Sequence, residues 1–302
     1  MVRQLIAALV IPLGLDLYMP VPEDNPITAE KIELGRRLFN DRRMSRDNTI
    51  ACSSCHDADH GFATPAAIAS GVLGRRGRRN APALINRGWG RAFFWDGRSA
   101  TLEEQVLQPI EDVNEMDLPV ADAAQRVGLT PDDISRALAT YIRSIMSGNA
   151  PYDRYVNGDR NALSTEARDG LQIFRGKGNC TACHVGPTFT DERFHNTGIA
   201  WAGPSRQPGA AESFRDEGRA VVTGRAEDRG AFKTPTLREV EHSAPYMHDG
   251  SITSMEAVVE YYDRGGNRHA MLDPELRPLG LSELDKRALI AFLRALSGDL
   301  TR

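Results

Sequence analysis

At 302 residues, the chain can form one large domain or two of ordinary size. A hydrophobic content of 41% with 26% charged residues is that of a soluble globular protein. A formal net charge of −4 carries no basic footprint, so no nucleic-acid partner is expected.

In chain order, Arg3 precedes an apolar run from Leu5 to Leu15 of signal-peptide length. No clean small-x-small cleavage site follows, and an acidic stretch begins at Asp16. Residues 1–26 therefore read as an N-terminal segment, either a weak signal peptide or the remnant of one. The run is too short to span a bilayer and no other segment approaches it, so no transmembrane helix is expected. Thr28-Ala-Glu-Lys opens a first helix that carries Gly35, Leu38 and Phe39. Cys52-Ser-Ser-Cys55-His56 follows. Thr130-Pro131-Asp-Asp places a cap residue before Pro and acidic first-turn residues, and the helix it starts has an apolar stripe through Ala137, Leu138, Tyr141, Ile142 and Ile145.

The second half repeats the plan weakly. Residues 157–163 read as a linker, and Ser164-Thr-Glu-Ala opens a helix carrying Gly170, Ile173 and Phe174. Cys180-Thr-Ala-Cys183-His184 comes next, then a loop-like stretch from Thr197 to Phe232 rich in Gly, Pro and charge. Ser282-Glu-Leu-Asp285 is a capping-box-like start to a closing helix with Ala288, Leu289, Phe292, Leu293 and Leu296 on one stripe. The expected fold is mostly α: two cytochrome c-like haem domains, 27–163 and 164–302, related by internal duplication.

Each C-x-x-C-H run is a c-type haem attachment signature. Two thiols can form thioethers to the haem vinyl groups, and the following histidine, His56 or His184, then lies under the iron as its axial ligand. The two runs use all four cysteines, Cys52, Cys55, Cys180 and Cys183. A structural zinc site is the alternative, but it takes four ligands in closely spaced pairs, whereas here each pair is followed at once by His.

Several further runs resemble the bacterial di-haem cytochrome c peroxidase family, on its MauG-like branch. They are Arg79-Asn80-Ala-Pro82, Phe94-Trp95-Asp96-Gly97-Arg98, Leu102-Glu-Glu-Gln105, Pro109-Ile110 with Glu115-Met116, Lys233-Thr-Pro-Thr-Leu-Arg238, and Ala244-Pro-Tyr-Met-His248-Asp-Gly250. The resemblance runs over nearly the whole chain after residue 27. It implies two covalent haem c groups, a periplasmic location, and hydrogen peroxide as a reactant at the N-terminal haem. The C-terminal haem would store or pass electrons. Cleaving the O–O bond heterolytically takes two electrons, so a second redox centre is chemically useful.

The resemblance also implies roles. Glu115 matches the catalytic acid–base glutamate, Gln105 the distal glutamine, and Pro109 a proline that shapes the same pocket. By residue type alone, Glu115 and Gln105 would be surface groups. Trp95 matches the tryptophan between the haems, a plausible electron relay, although a buried structural Trp is the ordinary role of that side chain. Asn80, Ser243 and Pro245 fall where the family binds calcium through one side-chain oxygen and backbone carbonyls. Tyr262 stands where standard peroxidases have a methionine ligand to the C-terminal haem; Met247 and Met271 are rival ligands. No His occurs between His60 and His184, so the distal histidine of standard members is missing and the N-terminal iron should be open to peroxide.

Position 178 is Gly where the MauG-like pattern has a surface Trp, and neither Trp89 nor Trp201 sits at the matching place. Three functions are weighed: a MauG-like oxidase acting on a Trp or Tyr of a partner protein, a peroxidase fed by a small cytochrome or cupredoxin, and a plain electron carrier. The carrier would need both irons six-coordinate, which the Glu115, Gln105 and open-site pattern disfavours.

Overall fold

A computed structural model describes residues 9–203 and 213–301. Arg3, the start of the apolar run and part of the long loop lie outside the described residues. The helices are α1 (Ala29–Phe39), α2 (Leu102–Gln105), α3 (Gln108–Glu111), α4 (Val120–Val127), α5 (Pro131–Ser144), α6 (Pro151–Val156), α7 (Thr165–Arg175), α8 (Ala220–Thr223), α9 (Met255–Asp263) and α10 (Glu283–Arg294). Four two-residue strands form two antiparallel pairs. β1 (Ser147–Gly148) pairs with β4 (Asp299–Leu300), and β2 (Phe194–His195) pairs with β3 (Phe232–Lys233). The chain is thus mostly helical, as its composition and periodicity predict.

The caps read from sequence form as local chemistry requires. Thr28 accepts from the Lys31 amide and Ser164 from the Ala167 amide. Thr130 with Asp133, and Ser282 with Asp285, bond reciprocally, which satisfies otherwise orphaned helix-start donors. In each half the opening helix crosses a long later one, α1 on α5 and α7 on α10. Both crossings depend on a glycine: a Cβ on Gly35 would overlap the Ala137 carbonyl, and one on Gly170 the Ala288 carbonyl. Two apolar cores follow. One runs from Leu38 and Phe39 to Ile142 and Ile145, the other from Leu163 to Phe292 and Leu296.

The N-terminal segment, expected only as a leader or its remnant, is packed into the fold from Leu9 onward. Leu15 and Met19 are buried against Met146. The Leu13 carbonyl accepts from the Asn149 amide at 2.7 Å, and the Gly14 carbonyl from Arg238 Nη2 at 3.2 Å. Arg238 is itself fully buried and grips Asp153 with two bonds of 2.6 and 2.8 Å. Hydropathy alone could not separate a leader from a strap whose apolar side chains find a seam to fill.

A repeat that the sequence reading missed lies in two tight turns. Phe93 bridges Ser99 and Tyr246 bridges Ile252; inside each turn a residue with φ > 0, Phe94 or Met247, is followed two residues later by Asp-Gly. Trp95 and His248 therefore hold equivalent places in the two turns. The carbonyl of His248 accepts from the Asn80 amide at 2.7 Å, and that of Trp95 from the Lys233 amide at 2.8 Å. Each half thus supplies a backbone N–H donor to the other half's turn.

Replacing Gly170 by Ala should force α7 and α10 apart and cost about 1–3 kcal/mol as an overpacked crossing. The check is a drop in the urea midpoint with an unchanged m-value; an unchanged midpoint would show that the crossing has slack.

Candidate di-haem site

Between the halves lies a cavity of ≈ 980 Å³ whose walls include Cys55, His56, Cys180, Cys183 and His184. Each attachment run is a single 3-10 turn closed by its histidine: the His56 amide bonds the Cys52 carbonyl at 3.0 Å, and the His184 amide the Cys180 carbonyl at 2.9 Å. Cys52 itself packs against the N-terminal core. His56 Nδ1 pairs with the Phe62 carbonyl at 3.0 Å and His184 Nδ1 with the Phe189 carbonyl at 2.9 Å. Both phenylalanines are buried at φ near +50°, a costly conformation for a bulky residue. Fixing Nδ1 on a carbonyl presents Nε2 as the ligating nitrogen, the usual arrangement for a histidine on a metal. Burial lowers the pKa of both imidazoles, which keeps them neutral, as a ligand must be.

The thiols are free of disulfides. Burial pushes Cys52 up to about 12, Cys55 to about 11 and Cys180 to about 12. Among the described residues no group of three or more His, Cys, Asp or Glu side chains could hold a metal ion. The thiol pairs, the presented Nε2 atoms and the cavity all fit covalent haem.

On the N-terminal side, Gln105, at the end of α2, Pro109, in α3, and Glu115, in the loop after it, line the same cavity as His56. The Glu115 loop is held from behind by residues 71–72. The Val72 amide bonds the Glu115 carbonyl at 2.8 Å, and Gly71 leaves no room for a Cβ against the carbonyls of Asn114 and Glu115. Burial, then the nearby Asp112 charge, raises the Glu115 carboxyl to about 7, with Arg98 opposing. His60 pairs with Asp57 in a loop at 2.9 Å.

Trp95 lines the cavity, with its indole N–H on the Asn80 carbonyl at 2.8 Å. Asn80 is buried, and its amide nitrogen donates to the carbonyls of Ala66 and Ala67, each at 3.2 Å. Ser243 and Pro245 border the same cavity.

On the C-terminal side, α9 carries Tyr261 and Tyr262 in different directions. The Tyr261 hydroxyl donates to the Thr197 carbonyl at 2.7 Å. Tyr262 lines the same cavity as His184, with its hydroxyl pKa raised by burial and by Tyr261, Cys183 and Cys180. Met247 borders the cavity too; Met271 is not among the lining residues.

Two charged clusters were not expected from the sequence. His195 sits between Asp273 at 2.6 Å and Asp191 at 2.9 Å, and contact with Asp273, Cys183 and Asp191 raises it to about 11. Lys233 and Arg87 share Glu192 across the halves, at 3.5 and 2.7 Å. Burial, then Arg87, pushes Lys233 down to about 7, while Arg87 and Lys233 outweigh burial to hold Glu192 near 2. The pairings Arg87–Glu192, Glu192–Lys233 and His195–Asp273 join residues distant in sequence, so no local spacing shows them.

The fold and the paired attachment turns define a covalent di-haem oxidoreductase. Residues 29–132 match the family model for di-haem cytochrome c peroxidase. The methylamine utilization protein MauG of Methylorubrum extorquens is 35% identical over 93% of this chain and 82% of its own length. A cytochrome-c peroxidase, IdrP1, of a Pseudomonas species is 37% identical over 92% of this chain and 84% of its own. A solved MauG-like protein associated with microbial copper homeostasis superposes with a TM-score of 0.85 at 29% identity, covering 94% of this chain and 95% of that one. The chain belongs to the di-haem cytochrome c peroxidase and MauG family, and is a peroxidase-type oxidoreductase. Among the described residues, no helix is long and apolar enough to cross a membrane.

The raised Glu115 pKa has a measurable consequence. The folded protein keeps a proton there that the unfolded chain releases from about 4.5 upward, so this contribution is complete below 4.5 and is lost as pH rises through about 7. Unfolding free energy should therefore slope downward across that window by at most about 1.4 kcal/mol per pH unit. Urea midpoints for Glu115→Gln should lack this component; identical slopes in both proteins would refute the raised pKa.

Proposed function

We propose that this protein is a MauG-like di-haem oxidase. Hydrogen peroxide is reduced at the N-terminal haem, held by Cys52, Cys55 and His56, and the electrons are drawn from a Trp or Tyr on a partner protein. The observation that carries this reading is Tyr262 in the wall of the cavity that His184 also lines, at the position where the family resemblance places a methionine ligand. A phenolate favours ferric and higher states, whereas a thioether raises the potential. A tyrosine-ligated haem is a poor acceptor from a small cytochrome and a good partner for a doubly oxidised pair.

When bound, the haems supply the redox chemistry of O–O cleavage. The Glu115 carboxyl takes a proton from one peroxide oxygen and returns it to the leaving oxygen, a task suited to a group titrating near 7. The Gln105 amide hydrogen-bonds the peroxide, and Pro109 shapes the pocket. Trp95 passes an electron between the halves and is restored. Peroxide takes two electrons and two protons and leaves as two waters.

Calcium would bind between the halves through the Asn80 side-chain oxygen and the carbonyls of Ser243 and Pro245, a hard-oxygen set. Supporting this, the Asn80 nitrogen is committed to Ala66 and Ala67, which turns its oxygen the other way. We read residues 27–163 and 164–302 as two haem domains from an internal duplication, supported by the paired glycine crossings, histidine anchors and turns. A periplasmic location is supported by the c-type attachment.

A second reading keeps the chemistry but takes electrons from a small cytochrome or cupredoxin; the peroxidase-named relative, at comparable identity, supports it. Peroxide added to the fully ferric protein separates the two. A reaction without prior reduction, changing the near-infrared and Mössbauer signals of both haems, is expected; inertness until one haem is reduced would overturn the first reading. Tyr262→Phe should alter the spectrum of the low-spin haem, and an unaltered spectrum would refute ligation.

A further inference from the structure

Arg79 occupies the junction of the halves without an assigned task. Its Nη1 bonds Asp96 Oδ2 at 2.7 Å, while Nε and Nη2 hold both oxygens of Asp216 at 2.7 and 2.8 Å. Asp96 directly follows Trp95 in its turn and is buried. Asp216 belongs to the other half, on the segment between the undescribed stretch and β3. The guanidinium also lies over Phe232, 5.3 Å from its centroid, and Phe232 stacks on His248 at 3.6 Å and 10°.

The same segment is tied to the Trp95 turn at two more places. Arg219 Nη1 bonds the carbonyls of Asp96 and Gly97, each at 2.8 Å, and the Lys233 amide bonds the Trp95 carbonyl at 2.8 Å. Arg79 is the member that engages both halves through side-chain carboxylates. A planar fork can grip two carboxylates in fixed directions at once, which a lysine ammonium cannot do.

We propose that Arg79 is the positioning residue for Trp95: by gripping Asp96 and Asp216 together, it holds the indole at the junction and sets how fast an electron crosses between the haem sites. This rests on the reading of Trp95 as the relay. In each crossing Trp95 gives one electron towards the N-terminal site and regains one from the C-terminal haem. The net transfer is one electron, no bond is made or broken at Arg79, and peroxide is the final acceptor. Arg79 touches neither peroxide nor the travelling electron, so its effect is on the exchange rate rather than on peroxide binding.

The test adds one equivalent of hydrogen peroxide to the ferric holoprotein by rapid mixing, with exchange of the oxidising equivalent between the two haems followed in their visible bands. Arg79→Lys and Asp216→Asn should each slow the exchange about tenfold or more, since small misplacements of a reacting group carry penalties of that size. The resting spectra and the KM for peroxide should stay as in the parent protein, and Asp216→Glu, which keeps the carboxylate, should recover most of the rate. A purely structural role would lower thermal stability and haem content yet leave the rate in the folded fraction unaltered; that result overturns the proposal. Trp95→Phe is run beside them. If it is slow while both clamp variants are normal, Arg79 is not the positioning residue but Trp95 remains the relay. If Trp95→Phe exchanges at the parent rate, the relay falls and this proposal with it. Should Arg79→Lys fail to fold, Asp216→Asn decides.

Discussion

The two halves exchange backbone hydrogen bonds reciprocally, and the arrangement of everything between them follows from that exchange. Asn80 donates to the turn that contains His248, and Lys233 donates to the turn that contains Trp95. Because each donor lies on a segment bordering the cavity, the same bonds set the wall and the relative placement of the two attachment turns. Buried backbone groups must be paired. Separating the halves would orphan these donors and acceptors, as well as the Arg87–Glu192–Lys233 and Arg79–Asp96–Asp216 ion clusters. The cavity is thus a property of the pair of halves.

Within each half, the constraint is closeness. Gly35 and Gly170 let α1 meet α5 and α7 meet α10 backbone to backbone. The histidines are then aimed by carbonyls of phenylalanines held at φ near +50°. Such strain is tolerated because Phe62 and Phe189 are buried among other aromatic rings, including Phe39 in one core and Phe292 in the other. Packing energy in the cores is therefore spent on orienting two imidazoles.

Much of this was legible locally. C-x-x-C-H is a contiguous signal, and the caps at Thr28, Thr130, Ser164 and Ser282 follow from short-range hydrogen bonding. The packing of the N-terminal segment was not legible, because an apolar run is the same string whether it enters a translocon or fills the groove beside Met146. The His195–Asp273 pairing was not legible, since Asp273 lies 78 residues away. The matching turns around Trp95 and His248 were obscured because Trp-Asp-Gly and His-Asp-Gly share little beyond Asp-Gly; the backbone geometry makes them equivalent.

The amino-acid sequence by itself determined that two haems can be attached, that the chain is mostly helical, and which side chains resemble a peroxide-reacting set, because these depend on spacing within a few residues. Only the tertiary structure decided that both attachment turns face one cavity, that Glu115 is buried enough to titrate near 7, and that Arg79 joins the turn after Trp95 to the opposite half. Those properties depend on dielectric and on contacts between distant segments, and neither exists until the halves close on each other.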